Sequence, residues 1–201
     1  MANNYAVIIQ DNLRALFARD VNERAAALAA QRENHTLVFD AFGALCRVSP
    51  DGITLDDQAE EGPRGIIISL YGLHATPEAL CLEPFKSFKE MPDSAPYAAA
   101  FTNRTEQALV PAVHLLQKTR TAWSHRLGVT EAPKTVNGDL SFTVRPLPKI
   151  ALCYVCYLAD EDFPAAVTCL YSNNAHRFLP TDALADVGEY TSKTLVGLLN
   201  C

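Results

Sequence analysis

The sequence has no basic excess, no long apolar run and none of the short motifs that announce a familiar chemistry. Its formal net charge is −6, from 17 Lys and Arg against 23 Asp and Glu. That balance argues against a nucleic-acid binder working by phosphate neutralisation. The longest apolar stretch, GIIISLYGL at residues 65–73, falls far short of the roughly 20 residues needed to cross a bilayer. The opening, MANNYAVIIQDNLRALFARD, lacks a basic start and is broken by Gln10, Asp11 and Arg14. It is therefore not a signal peptide, and a cytoplasmic protein with no membrane partner is expected. There is no phosphate-cradling glycine loop, no nucleophile elbow and no H-E-x-x-H. Repeats and low-complexity tracts are also absent.

What remains is a chain of 201 residues, 49% of them hydrophobic. That is enough to bury about 70% of the unfolded surface without disulfides or metal. Tyr5, Ile9, Leu13, Leu16 and Phe17 recur at helical spacing. Asp20 with Glu23 three residues on caps a second, alanine-rich helix. TLVFDAFGALCRVSPDGITL, from Thr36, reads as a meander of short strands. GIIISLYGL suits a buried strand or a buried helix equally. A proline-punctuated stretch of about 25 residues follows, long enough to suggest function or flexibility.

Thr105 to Leu127 reads as a helix, started or kinked by Pro111, with Leu109, Val113, Leu116, Trp123 and Leu127 on its apolar stripe. Its other face carries His114, Lys118, Thr121 and His125, a solvated face. Asn137-Gly138 signals a hairpin turn, two apolar strands follow, and Pro180-Thr181-Asp182 opens a last helix. The expected fold is α+β, a single domain over residues 1–201. Its sheet is mainly antiparallel, built from meander and hairpins, with N-terminal (about 1–34), central and C-terminal helices.

ALCYVCYLADEDFPAAVTCLYSNNAH, residues 151–176, contains a C-x-x-C, a third cysteine and a histidine. In a strand, residues three apart point to opposite faces, so Cys153 and Cys156 cannot reach one ion together. A helix N-terminus that would lower a thiol pKa is missing too. Packing is the better reading of these cysteines, and no metal is assigned. If the acidic loop closes an ordinary hairpin, Cys156 and Cys169 share a face. The alternative is a metal- or thiol-dependent enzyme using Cys153 or Cys156 with His176.

Charge is unevenly spread, with seven basic and three acidic residues between Thr102 and Lys149. Within that stretch Arg120 interrupts an apolar stripe. It either grips an anion with its planar fork or snorkels to solvent. Tyr97, Phe101 and Arg104 would make an aromatic and cationic pocket wall, or anchor the core. His176, beside Arg177, could act on an anion or simply sit in a turn. These five residues form the candidate ligand-binding set.

FKSFKEMPDSAPYAAAF, ADEDFPAAVTCLYSNNAHRFLPTDALADVGE and the opening helix with its meander resemble domain of unknown function 3786. The likeness runs from about Tyr5 to Leu199. The resemblance implies a setting in anaerobic bacteria and archaea, where some members carry a four-cysteine iron–sulfur module. That module is not in this sequence, so a cluster would come from a partner, and the family pattern does not require Cys153, Cys156 or Cys169. The expectation is a non-catalytic accessory protein that binds a small anionic ligand or an iron–sulfur or corrinoid protein.

Overall fold

The computed structural model describes residues 4–199 and has an α+β fold with two antiparallel sheets. Helix α1 (Asn4–Phe17) buries Ile9, Leu13 and Leu16, while Tyr5, expected on the same stripe, stays 45% exposed. Helix α2 (Val21–Leu28) is capped by the Asp20 carboxylate, which accepts from the amides of Asn22 and Glu23. Strands β1 (Gln31–Glu33), β2 (Thr36–Ala41), β3 (Ala44–Ser49), β4 (Gly52–Leu55) and β5 (Gln58–Ala59) follow as a meander, ordered as in the chain.

The ambiguous GIIISLYGL segment is helix α3 (Pro63–His74). Pro63 sits in its first turn, where the missing N–H costs nothing. The helix is apolar on several sides because it packs against α1, α2 and the C-terminal helix (Thr181–Leu199), and Tyr71 reaches the first sheet. Gly72 lets the Leu16 side chain approach to within 3.0 Å of where a Cβ would lie, and Tyr71 meets Phe39 edge-on at 5.9 Å. Arg19 and Arg24 donate to carbonyls at the C-terminal end of α3, and buried Lys149 donates to those of Thr76 and Glu78 just beyond it. These cations satisfy acceptors that a helix end leaves open.

The proline-rich stretch contains the short strand β6 (Lys86–Ser87) and a 3₁₀ turn at Phe88–Glu90. The expected central helix is a chain of shorter pieces. Helix α4 (Ala98–Phe101) runs into a π-helical segment (Thr102–Glu106) and a 3₁₀ segment (Gln107–Ala112) containing Pro111. Helices α5 (Val113–Lys118) and α6 (Arg120–Trp123) and a 3₁₀ segment (Ser124–Leu127) complete it. Proline cannot donate to a ladder, and the surrounding backbone shifts register around it. The apolar stripe still holds, since Leu109, Val113, Leu116, Trp123 and Leu127 are all buried.

The second sheet has strand order β6-β10-β9-β8-β7, with β7 at Thr130–Glu131, β8 at Leu140–Leu147, β9 at Ile150–Tyr157 and β10 at Ala166–Tyr171. Helix α7 (Thr181–Leu199) lies against it and buries Leu184, Val187, Thr191 and Leu195. The Tyr154 hydroxyl pairs with Ser192 at 3.0 Å, and the Tyr171 hydroxyl donates to the Leu184 carbonyl at 2.6 Å. Asn137-Gly138 is not a two-residue hairpin tip, because β7 pairs with β8 across the longer segment 132–139. Glycine is needed there for close approach instead. A Cβ on Gly138 would lie 2.8 Å from Val155 Cγ1 and 3.0 Å from the Cys156 carbonyl.

Candidate functional site

The two sheets touch where the β2–β3 turn meets β8. Phe42 N–H donates to the Pro146 carbonyl at 2.8 Å, beside an irregularity in β8 between Val144 and Leu147. Proline on a strand belongs at such an edge or bulge, because it has no N–H for a ladder. Beside that apex, residues of both sheets line an open cleft of about 910 Å³. Val38, Phe39 and Asp40 of β2, the turn residue Gly43, Ala44 and Leu45 of β3, and Gln31 form one wall. His125, Leu127, Thr130 and Arg145 stand on the other.

Arg145, His125 and Asp40 are all exposed. Among the described residues none of the three side chains makes a hydrogen bond or an ion pair. Leu45 adds an exposed apolar side chain, 41% accessible. A cleft of this size, part apolar and carrying a few convergent polar groups, is the common form of a ligand site. An unpaired guanidinium offers a planar fork to a carboxylate or phosphate.

The residues singled out in the sequence lie in other surroundings. Tyr97 is partly exposed ahead of α4, and Phe101 is a core residue stacked on Phe88 with ring centroids 4.4 Å apart. Arg104 pairs with the largely buried Glu189 carboxylate at 3.3 Å, which Lys193 also holds at 2.6 Å. Arg120 reaches Glu131 at 3.9 Å with its own side chain 39% exposed. His176 sits in a turn (Ala175–Arg177) near Lys86, Arg177 and Glu78. Burial, then Lys86 and Arg177, holds its pKa below the ordinary histidine value. Arg104 and Arg120 thus answer to separate acidic partners, and among the described residues His176 Nδ1 is buried without a hydrogen-bond partner. Arg145 and His125 were legible only as members of a basic stretch and a solvated face, although the Arg-Pro pair within a strand signals an edge.

The neighbours of His176 have a structural task. Asn174 accepts from Cys81 N–H and donates to the Ala79 carbonyl, both at 2.9 Å. Asn173 donates to the Pro84 carbonyl, and Arg177 grips Glu78 through both carboxylate oxygens. Together they staple residues 78–84 to the end of β10.

The cysteines follow the strand geometry. Cys156 lies opposite Val167 and Cys153 opposite Leu170. Cys156 and Cys169 therefore share one face, and Cys153 occupies the other. Burial raises the pKa of all three thiols, that of Cys156 to about 12. Among the described residues, no group of three or more His, Cys, Asp or Glu is placed to hold a metal ion. No described helix is long and apolar enough to cross a membrane.

A family model, domain of unknown function 3786, matches residues 20–194. The chain belongs to this family. Neither a curated protein nor a solved structure matches it. The family match spans both sheets and both walls of the cleft, so the cleft lies within the part of the chain that the family defines.

Proposed function

We propose that the protein is a non-catalytic binding protein that accepts an anionic group, a carboxylate or a phosphate, in the cleft between its sheets. One observation carries this reading. Arg145 offers a guanidinium to that cleft without an acidic partner among the described residues, although eight ion pairs engage arginines and lysines elsewhere. His125 on the same wall adds an imidazole ring whose N–H can donate a hydrogen bond to such a group. The setting implied by the family resemblance, an accessory role beside iron–sulfur or corrinoid proteins of anaerobes, is part of this proposal.

The thiol-enzyme alternative finds less support. Cys153 and Cys156 face opposite ways, and their raised pKa values keep them as thiols at neutral pH. The test uses glutarate and inorganic phosphate as probes, titrated into protein carrying labelled arginine side chains and followed by NMR. Saturable shifts of the Arg145 Nε signal, with binding lost in Arg145→Gln, support the reading. Failure of both anions to perturb Arg145, or equal binding by the variant, overturns it.

A further inference from the structure

The cleft that holds Arg145 also holds an acid with no structural task. Asp40, on the facing wall, is exposed, and its carboxylate makes no hydrogen bond or ion pair among the described residues. Aspartate is depleted in strands, so its place within β2 asks for a reason. Aspartates at other strand ends and loops have one. Asp56 accepts from Leu45 N–H, Asp139 from Leu158 N–H, and Asp160 from the amides of Asp162 and Phe163. Across the β2–β3 ladder Asp40 is opposite Leu45, so the carboxylate and that exposed apolar side chain share one face.

No ion pair joins Asp40 to Arg145, although both line the cleft. Each side chain therefore keeps its full bonding capacity for a ligand. The two differ in what they ask of it. The guanidinium only donates, and the carboxylate only accepts. An anion with a second negative group would bring like charge toward Asp40, whereas an ammonium there would be attracted.

Resting on the anion-binding reading, we propose that the ligand is a zwitterion, an aminocarboxylate whose carboxylate meets Arg145 and whose ammonium meets Asp40. Its methylene chain spans the gap and lies over Leu45. Asp40 is then the residue that selects among anions, attracting those with an amine and rejecting those with two negative groups.

NMR titrations with γ-aminobutyrate, δ-aminovalerate and ε-aminocaproate test this over a range of spans. Each is compared with the same chain lacking the amine, and glutarate serves as the double anion. At the span that fits, the amine should tighten binding about threefold to fivefold, as an exposed ion pair does. Glutarate should bind more weakly than valerate. Asp40→Asn should erase the amine preference and leave the plain carboxylates within about twofold. Arg145→Gln should weaken every probe about tenfold. Plain carboxylates that bind as tightly at every span, with Arg145 required, overturn the zwitterion and leave the anion reading intact. An amine preference that survives Asp40→Asn also overturns it. If no carboxylate binds in an Arg145-dependent way, both readings fall.

Discussion

The amide of Phe42 and the carbonyl of Pro146, 2.8 Å apart, tie the two sheets together at the apex of their cleft. Phe42 holds a left-handed backbone, φ +52°, followed by Gly43 at φ +79°. A two-residue hairpin with both central residues left-handed matches strand twist, but a bulky residue at the first position is unusual. Its ring, only 2% exposed, offsets that cost by burial. The turn thereby fixes where β2 ends and aims its outer edge at β8.

A second close approach lies behind the other sheet. A Cβ on Gly188 of α7 would fall 2.6 Å from Phe101 Cε2, 2.8 Å from Thr105 Oγ1 and 2.9 Å from the Tyr171 hydroxyl. All three neighbours are buried. Gly188→Ala should therefore destabilise the protein by about 1–3 kcal/mol, despite the better helix propensity of alanine. Urea denaturation checks the sign. A stabilised variant would mean that the π-helical segment does not sit against α7 as described.

The asparagine staple makes a local prediction. Asn174→Ala removes one donor and one acceptor from residues 79–81, at about 1–3 kcal/mol. Its signature should be regional. Amide hydrogen exchange at Cys81 is expected to accelerate at least tenfold, while amides of β9 keep wild-type protection.

Local chemistry in the sequence foretold the elements that local chemistry decides. Asp20 caps α2 as its spacing with Glu23 indicates, the stretch from Thr36 forms the expected strand meander, and a last helix follows Pro180. Sequence periodicity failed where tertiary packing decides. The run at residues 65–73 becomes a helix whose apolar surface is covered by α1 and α7. Gly138 follows an asparagine yet serves packing against Val155 rather than a turn. The cleft was illegible for the same reason. Asp40 and Arg145 are more than a hundred positions apart, and the meeting of Phe42 with Pro146 brings their strands together.

A pH prediction concerns His176. Burial, with Lys86 and Arg177 nearby, lowers its folded pKa below the ordinary value of 6.5. The unfolded chain then takes up the proton first as pH falls. The stability contribution is complete above about 6.5 and is lost as pH drops through that value toward the folded pKa. Urea midpoints compared at pH 7.5 and 5.5 should fall more for wild type than for His176→Gln. An NMR titration of His176 with a midpoint above 6.5 would contradict this sign.

The cysteines separate packing from chemistry most directly. Cys81 is exposed, whereas Cys46, Cys153, Cys156 and Cys169 are buried, and burial raises the pKa of each of these four. A reactive thiol needs both access and thiolate character, and the buried four have neither. Cys201 lies outside the described residues, so a Cys201→Ser background isolates the five others. At neutral pH a maleimide should add once per native chain, at Cys81, and five times in denaturant, as counted by mass spectrometry. Rapid native labelling at Cys153 or Cys156 would place a thiolate in the second sheet and revive the enzyme alternative. Labelling confined to Cys81 leaves the pair as strand residues that pack on opposite faces, and directs the search for function to the cleft around Arg145.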